Sequence, residues 1–132
     1  MGGVPDLPWT SLARREPERE YVALLSYLPL RRLTDTLAFV RDVQRVRAQL
    51  ARSEGLVGYA LRARPLRKEY WTLSVWESER VLLAFVKEQP HSGIMGSLRG
   101  RMGATKFVRW RVGAADPLPG WEDAMRRAAA DA

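Results

Sequence analysis

The 132-residue sequence predicts one domain of the α+β class, an antiparallel sheet with helices on one face. Three observations predict it. Residues 57–64 and 69–76, VGYALRAR and EYWTLSVW, are strand-like runs split by the short turn Pro65 to Lys68. Before them, Phe39, Val43, Val46 and Leu50 recur at spacings of four, three and four, which is one side of a helix. Two further runs rich in aromatic and aliphatic residues, YVALLSYLPL from Tyr21 and TKFVRWRV from Thr105, bracket the whole.

Met1 to Glu20 contains three prolines, two glycines and several charges without periodicity, and reads as a flexible N-terminal arm. The fold begins at Tyr21 with a strand that Pro29 stops. Thr34 or Asp35 caps the first helix, which runs to about Ser53 with Arg41, Arg45 and Arg52 on its solvated side, and Gly55 ends it. In the next strand Val57, Tyr59, Leu61 and Ala63 alternate with Arg62 and Arg64. In the one after, Trp71, Leu73 and Val75 point one way and Tyr70, Thr72, Ser74 and Trp76 the other. Ser78 caps a second helix that buries Val81, Leu82 and Phe85, and Pro90 stops it. A short helical piece from about Ser92, the last strand and a terminal helix anchored by Trp121 complete residues 21–132 as a single domain.

The order strand, helix, strand, strand, helix, strand is the ferredoxin-like βαββαβ arrangement. Its helices cover one face of the sheet. The other face would expose aromatic and aliphatic residues from several strands, so a homodimer is expected.

The chain has no cysteine, which removes disulfides, thiolate metal sites and cysteine nucleophiles. Twenty-two basic against fifteen acidic residues give a formal charge of +7. The arginines are scattered rather than blocked, so the charge reads as a solvated surface. No apolar run is long enough for a bilayer and no signal-peptide block opens the chain, so a cytoplasmic protein with no membrane partner is expected.

YWTLSVWESERVLLAFVKEQPH, followed by FVRWRVGAADPLPGWEDA, resembles the dimeric α+β barrel superfamily. It is most similar there to antibiotic biosynthesis monooxygenase-like proteins and to the core of spheroidene monooxygenase. The resemblance implies two sheets packed face to face and, in each subunit, a small-molecule pocket between sheet and helices. It also implies chemistry on a hydrophobic or aromatic metabolite, foremost cofactor-free monooxygenation, with a haem-binding oxidoreductase or dehydratase as the alternative and haem degradation, cyclisation or isomerisation as further reactions of the superfamily.

His91 is the single histidine. Its ordinary pKa suits acid or base work, and neutral imidazole can ligate haem iron; the alternative is a loop or cap histidine bonding a carbonyl. A zinc or non-haem iron site normally takes three or four protein ligands that include more than one histidine or cysteine, and one histidine with no cysteine argues strongly against it. Tyr59, Tyr70, Trp71, Trp76, Phe85, Met95 and Trp110 are the candidate lining of an apolar pocket, with Tyr27 in the same aromatic set. Arg62, Arg64 or Arg109 could meet haem propionates. Without a cofactor the protein needs a base, for which His91 is the candidate, and a donor to an oxyanion, for which Tyr59, Tyr70 or an arginine would serve. Two rival readings remain. One is a non-catalytic ligand-binding dimer. The other is an RNA-binding domain of the same element order, which the lack of a glycine in RKEYWTLSVW disfavours.

Overall fold

The computed structural model describes residues 6–11, 19–88, 91–113 and 119–130, with backbone alone at 6–11, 91, 92 and 97. Five strands, β1 (Asp6–Ser11), β2 (Glu20–Pro29), β3 (Leu56–Arg64), β4 (Glu69–Trp76) and β5 (Lys106–Gly113), form one antiparallel sheet in the order β1-β3-β4-β2-β5. Among the described residues four α-helices accompany them: α1 (Thr36–Arg52), α2 (Glu79–Lys87), α3 (His91–Leu98) and α4 (Trp121–Ala130).

The inner four strands carry the expected ferredoxin-like connectivity. The expected barrel is absent. The sheet is open, with β1 and β5 as its two edges. β1 arises within the segment read as an arm, where the backbone of Asp6–Ser11 pairs with β3 across an irregularity between Leu7 and Thr10. Pairing of the backbone needs no sequence periodicity, which is why composition alone concealed it.

Alternation along β4 divides the core. Tyr70, Thr72, Ser74 and Trp76 face α1, α2 and α3, while Trp71, Leu73 and Val75 face away from them. The helix side joins Leu50, Leu56, Tyr59, Trp76, Leu82 and Phe85 in one cluster, and Leu30, Phe39, Tyr70, Ile94, Leu98 and Met102 in another. Ser78 accepts a hydrogen bond from the Val81 backbone N–H at 3.3 Å and so starts α2 as expected.

β3 departs from simple alternation. The register of β3 on β4 slips between Leu56 and Gly58. This bulge leaves Leu56 on the helix side with Tyr59 and turns Val57 to the opposite cluster, so Val57 does not share a face with Tyr59.

The second face of the sheet is also covered, and by the chain itself. On it, α4 packs Trp121, Ala124, Met125 and Ala128 against Leu25, Trp71, Leu73, Val108 and Trp110. The ammonium of Lys106 donates to the Ala128 carbonyl, and Arg127 lies 4.9 Å from the centroid of Trp110. Leu73 and Val75 are fully buried within one copy, so the premise that a second copy must cover this face does not hold. At the start of α4, hydrogen bonds from Arg127 hold the Asp123 carboxyl below the usual carboxylate range, with Arg126 adding to the effect.

Candidate functional site

Helix α1 and helix α2 do not close fully over β4 and β2. Between them and the sheet lies a cavity of about 690 Å³. A smaller space of about 230 Å³ adjoins it along α1 and shares Leu28, Phe39, Val43, Leu61 and Thr72 with it. The roof comes from Phe39, Val43, Val46 and Leu50 of α1 and Leu82 and Phe85 of α2, the same periodic residues that made both helices legible. Ile94, Met95 and Leu98 of α3 close one end. Leu83, Val86 and Phe107 also line it and are 45%, 37% and 50% exposed, which sets the opening between α2 and the edge strand β5.

Among the described residues the floor is apolar except for the hydroxyls of Ser26, Thr72, Ser74 and Tyr59 and, on β5, the Arg109 guanidinium. Ser26 and Thr72 are cross-strand partners on β2 and β4, and Ser74 lies two residues beyond Thr72 on the same face. Ser74 Oγ accepts from the Trp76 indole N–H at 2.8 Å, which fixes that ring on the floor, and Trp76 meets Phe85 at 5.1 Å between centroids. The hydroxyls of Ser26 and Thr72 have no side-chain partner among the described residues. They stand as isolated polar points in a greasy hollow, the composition of a small-molecule site.

Of the residues that sequence reasoning assigned to a pocket, Tyr59, Trp76, Phe85 and Met95 line the cavity. Tyr70 borders the smaller space, its ring 4.5 Å from Phe39 and its hydroxyl buried without a hydrogen-bond partner. Trp71 and Arg62 also border the smaller space, but with Trp110 they project to the other face of the sheet. Trp71 and Trp110 pack beneath α4, and Arg62 lies over Trp121. The parity of β4 forces this, because Trp71 follows Tyr70 directly and must face away from it. Of the arginines offered for propionates, Arg64 lies over Trp71 on that same far face and only Arg109 lines the cavity, where Glu79 pairs with it. Tyr27 also faces α4, 5.4 Å from Trp71, and donates to Glu69 Oε2 at 2.7 Å. Burial first, then that hydrogen bond and the Glu69 charge, push its pKa up to about 12.

The backbone of His91 opens α3, and its side chain lies outside the described residues. Among the described residues no group of three or more histidine, cysteine or carboxylate side chains could hold a metal ion. The β4 aromatics Tyr70, Trp71 and Trp76 are 7%, 7% and 1% exposed, so that strand offers no platform for stacking bases.

Sequence reasoning missed Arg47 and Asp42 of α1 and the hydroxyls of Ser26, Thr72 and Ser74 as lining residues. The alternation of β4 had already put Thr72 and Ser74 beside Trp76. Arg47 gave no signal of its own, because it borders the apolar stripe next to Val46.

No protein-family model and no curated protein matches the chain. Solved structures do. A candidate monooxygenase from Fusobacterium nucleatum superimposes with a TM-score of 0.69 at 8% identity, over 80% of this chain and 48% of that one. SnoaB, a cofactor-independent oxygenase from Streptomyces nogalater, superimposes with a TM-score of 0.54 at 18% identity, over 76% of this chain and 99% of that one. A conserved protein from Methanosarcina mazei gives 0.61 at 12% identity, over 68% and 90%. The chain is similar in fold to these proteins. It spans about half the length of the Fusobacterium protein and of a candidate monooxygenase from Lactobacillus acidophilus, 48% and 53%. Fold is what such identities share; the reaction has to be argued from the site. No helix among the described residues is long and apolar enough to cross a membrane.

Proposed function

We propose that the chain binds a planar hydrophobic small molecule between its sheet and helices and oxidises it with dioxygen, without a bound cofactor. The observation that carries this is the cavity of about 690 Å³, largely apolar on roof and floor, with the isolated hydroxyls of Ser26 and Thr72 on its floor. The likeness in fold to a cofactor-independent oxygenase supports it.

In such chemistry the substrate is its own reductant. A CH₂ group activated by a neighbouring carbonyl or aromatic ring loses a proton, and the resulting carbanion reduces dioxygen. A hydroperoxide forms at that carbon; loss of water then leaves a ketone, so one oxygen atom enters the product and the other departs as water. The protein's tasks are to remove the proton, hold the ring and exclude bulk water. His91 is the base in this proposal. Its support is its backbone position at the start of α3, the helix that contributes Ile94, Met95 and Leu98 to the cavity.

Oxygen uptake with a panel of planar aromatic compounds bearing an activated CH₂ tests the proposal. One oxygen consumed per ketone formed is expected, and His91→Ala should lower kcat by roughly 10²-fold while leaving binding intact. A protein that binds these compounds but consumes no oxygen is not an oxygenase. An unchanged kcat in His91→Ala removes the base from that position.

A further inference from the structure

Among the described residues three charged side chains line the cavity, and two are neutralised. Asp42 lies 3.7 Å from Arg45, and Arg109 is paired with Glu79. Arg47 is different. Among the described residues it has no carboxylate partner, and its polar neighbours are neutral: the Tyr59 hydroxyl at 3.4 Å and Gln44 Oε1 at 3.5 Å. Both contacts sit at the long limit of hydrogen bonding. A guanidinium cannot shed its charge, so an unmatched cation stands on the wall of an apolar hollow, where low polarity strengthens any pairing it makes.

Tyr59 adds to this. Its ring is 6% exposed and lines the same wall, and its hydroxyl accepts from Arg47 Nε, which leaves the phenolic proton free to be donated elsewhere. Two donors from two elements, α1 and β3, thus meet beside a largely apolar space, and among the described residues no carboxylate pairs with Arg47.

We infer that Arg47 and Tyr59 form a subsite for an acidic oxygen, a carboxylate, phenolate or enolate, on an otherwise hydrophobic ligand. The acid sits at the α1 and β3 wall, and the apolar body extends over Trp76 toward Leu82 and Phe85. This rests on the reading of the cavity as a small-molecule site and names the class of molecule it selects: a planar hydrophobic acid rather than a neutral hydrocarbon, ester or amine.

Calorimetric titration with 2-naphthoate and its neutral methyl ester tests it without knowledge of the natural substrate. The intact protein should prefer the acid by about tenfold or more, as expected for a charge-assisted hydrogen bond. Arg47→Met should erase that preference while the ester still binds within about twofold. Tyr59→Phe should reduce it in part. Arg41→Met removes the same charge from the solvent side of α1 and should keep the preference, which separates local pairing from the net charge of +7. Should Arg47→Met fail to fold, Arg47→Gln makes the same comparison. Equal binding of acid and ester, or a preference that survives loss of Arg47, overturns the subsite and leaves the cavity reading standing. Binding of neither compound overturns both.

Discussion

The guanidinium of Arg62 lies over the indole of Trp121, its central carbon 4.9 Å from the ring centroid. The contact ties the C-terminal part of β3 to the first residue of α4 across the face of the sheet that α1, α2 and α3 leave bare. It gives Arg62 a structural partner and keeps its guanidinium out of the larger cavity.

Loss of that anchor should loosen α4. Trp121→Ala removes a half-buried indole and its cation contact, so the urea midpoint should fall by the equivalent of about 1–3 kcal/mol, less than for a fully buried tryptophan. Binding of hydrophobic ligands should persist, since the cavity lies on the other side of the sheet. A variant that keeps its stability but loses binding would contradict the two-faced arrangement.

Filling the cavity should separate binding from folding. Ser26→Leu places an isobutyl group on the floor in space that is empty, beside Leu24, Leu28 and Thr72. Thermal unfolding is expected to stay level or rise, because added apolar contact offsets the lost hydroxyl. Affinity for 2-naphthoate and its ester should drop at least about tenfold, read by calorimetry.

Tyr27 makes stability fall in strong base. Its pKa in the folded chain is about 12 against 10.0 for a free tyrosine. Because the folded value is the higher one, the contribution of the neutral phenol is complete below pH 10 and is lost as pH rises toward 12. Tyr27→Phe should flatten the decline of the denaturation midpoint over that window and remove an ultraviolet titration step near pH 12. An unaltered titration curve would show that Tyr27 is not the group that titrates in that window.

Gly55 stands between α1 and β3 with φ of +82°, and a Cβ there would come within 2.7 Å of Val81 Cγ2. Gly55→Ala should therefore cost about 1–3 kcal/mol by strain and displacement of α2, measured by chemical denaturation. A cost below that range would mean Val81 moves aside freely.

The sequence by itself determined the inner four strands, α1 and α2: the helices, β3 and β4 through a period that burial on one face enforces, β2 and β5 through runs rich in aromatic and aliphatic residues. Phe39, Val43, Val46 and Leu50 had to share a side of a helix, and Trp76 had to share a face with Tyr70, Thr72 and Ser74. Those constraints are local and can be counted along the chain. Which face received the ligand space was not local. It depended on where α4 docked, and a helix of arginines and alanines around Trp121 carries no instruction about the face it will cover. Only the tertiary structure moved Trp71, Trp110 and Arg62 to the α4 side, opened the sheet at β1 and β5, and brought Arg47 beside Tyr59. The physical reason is that strand parity fixes which residues are neighbours on a face, while long-range packing alone decides what that face meets.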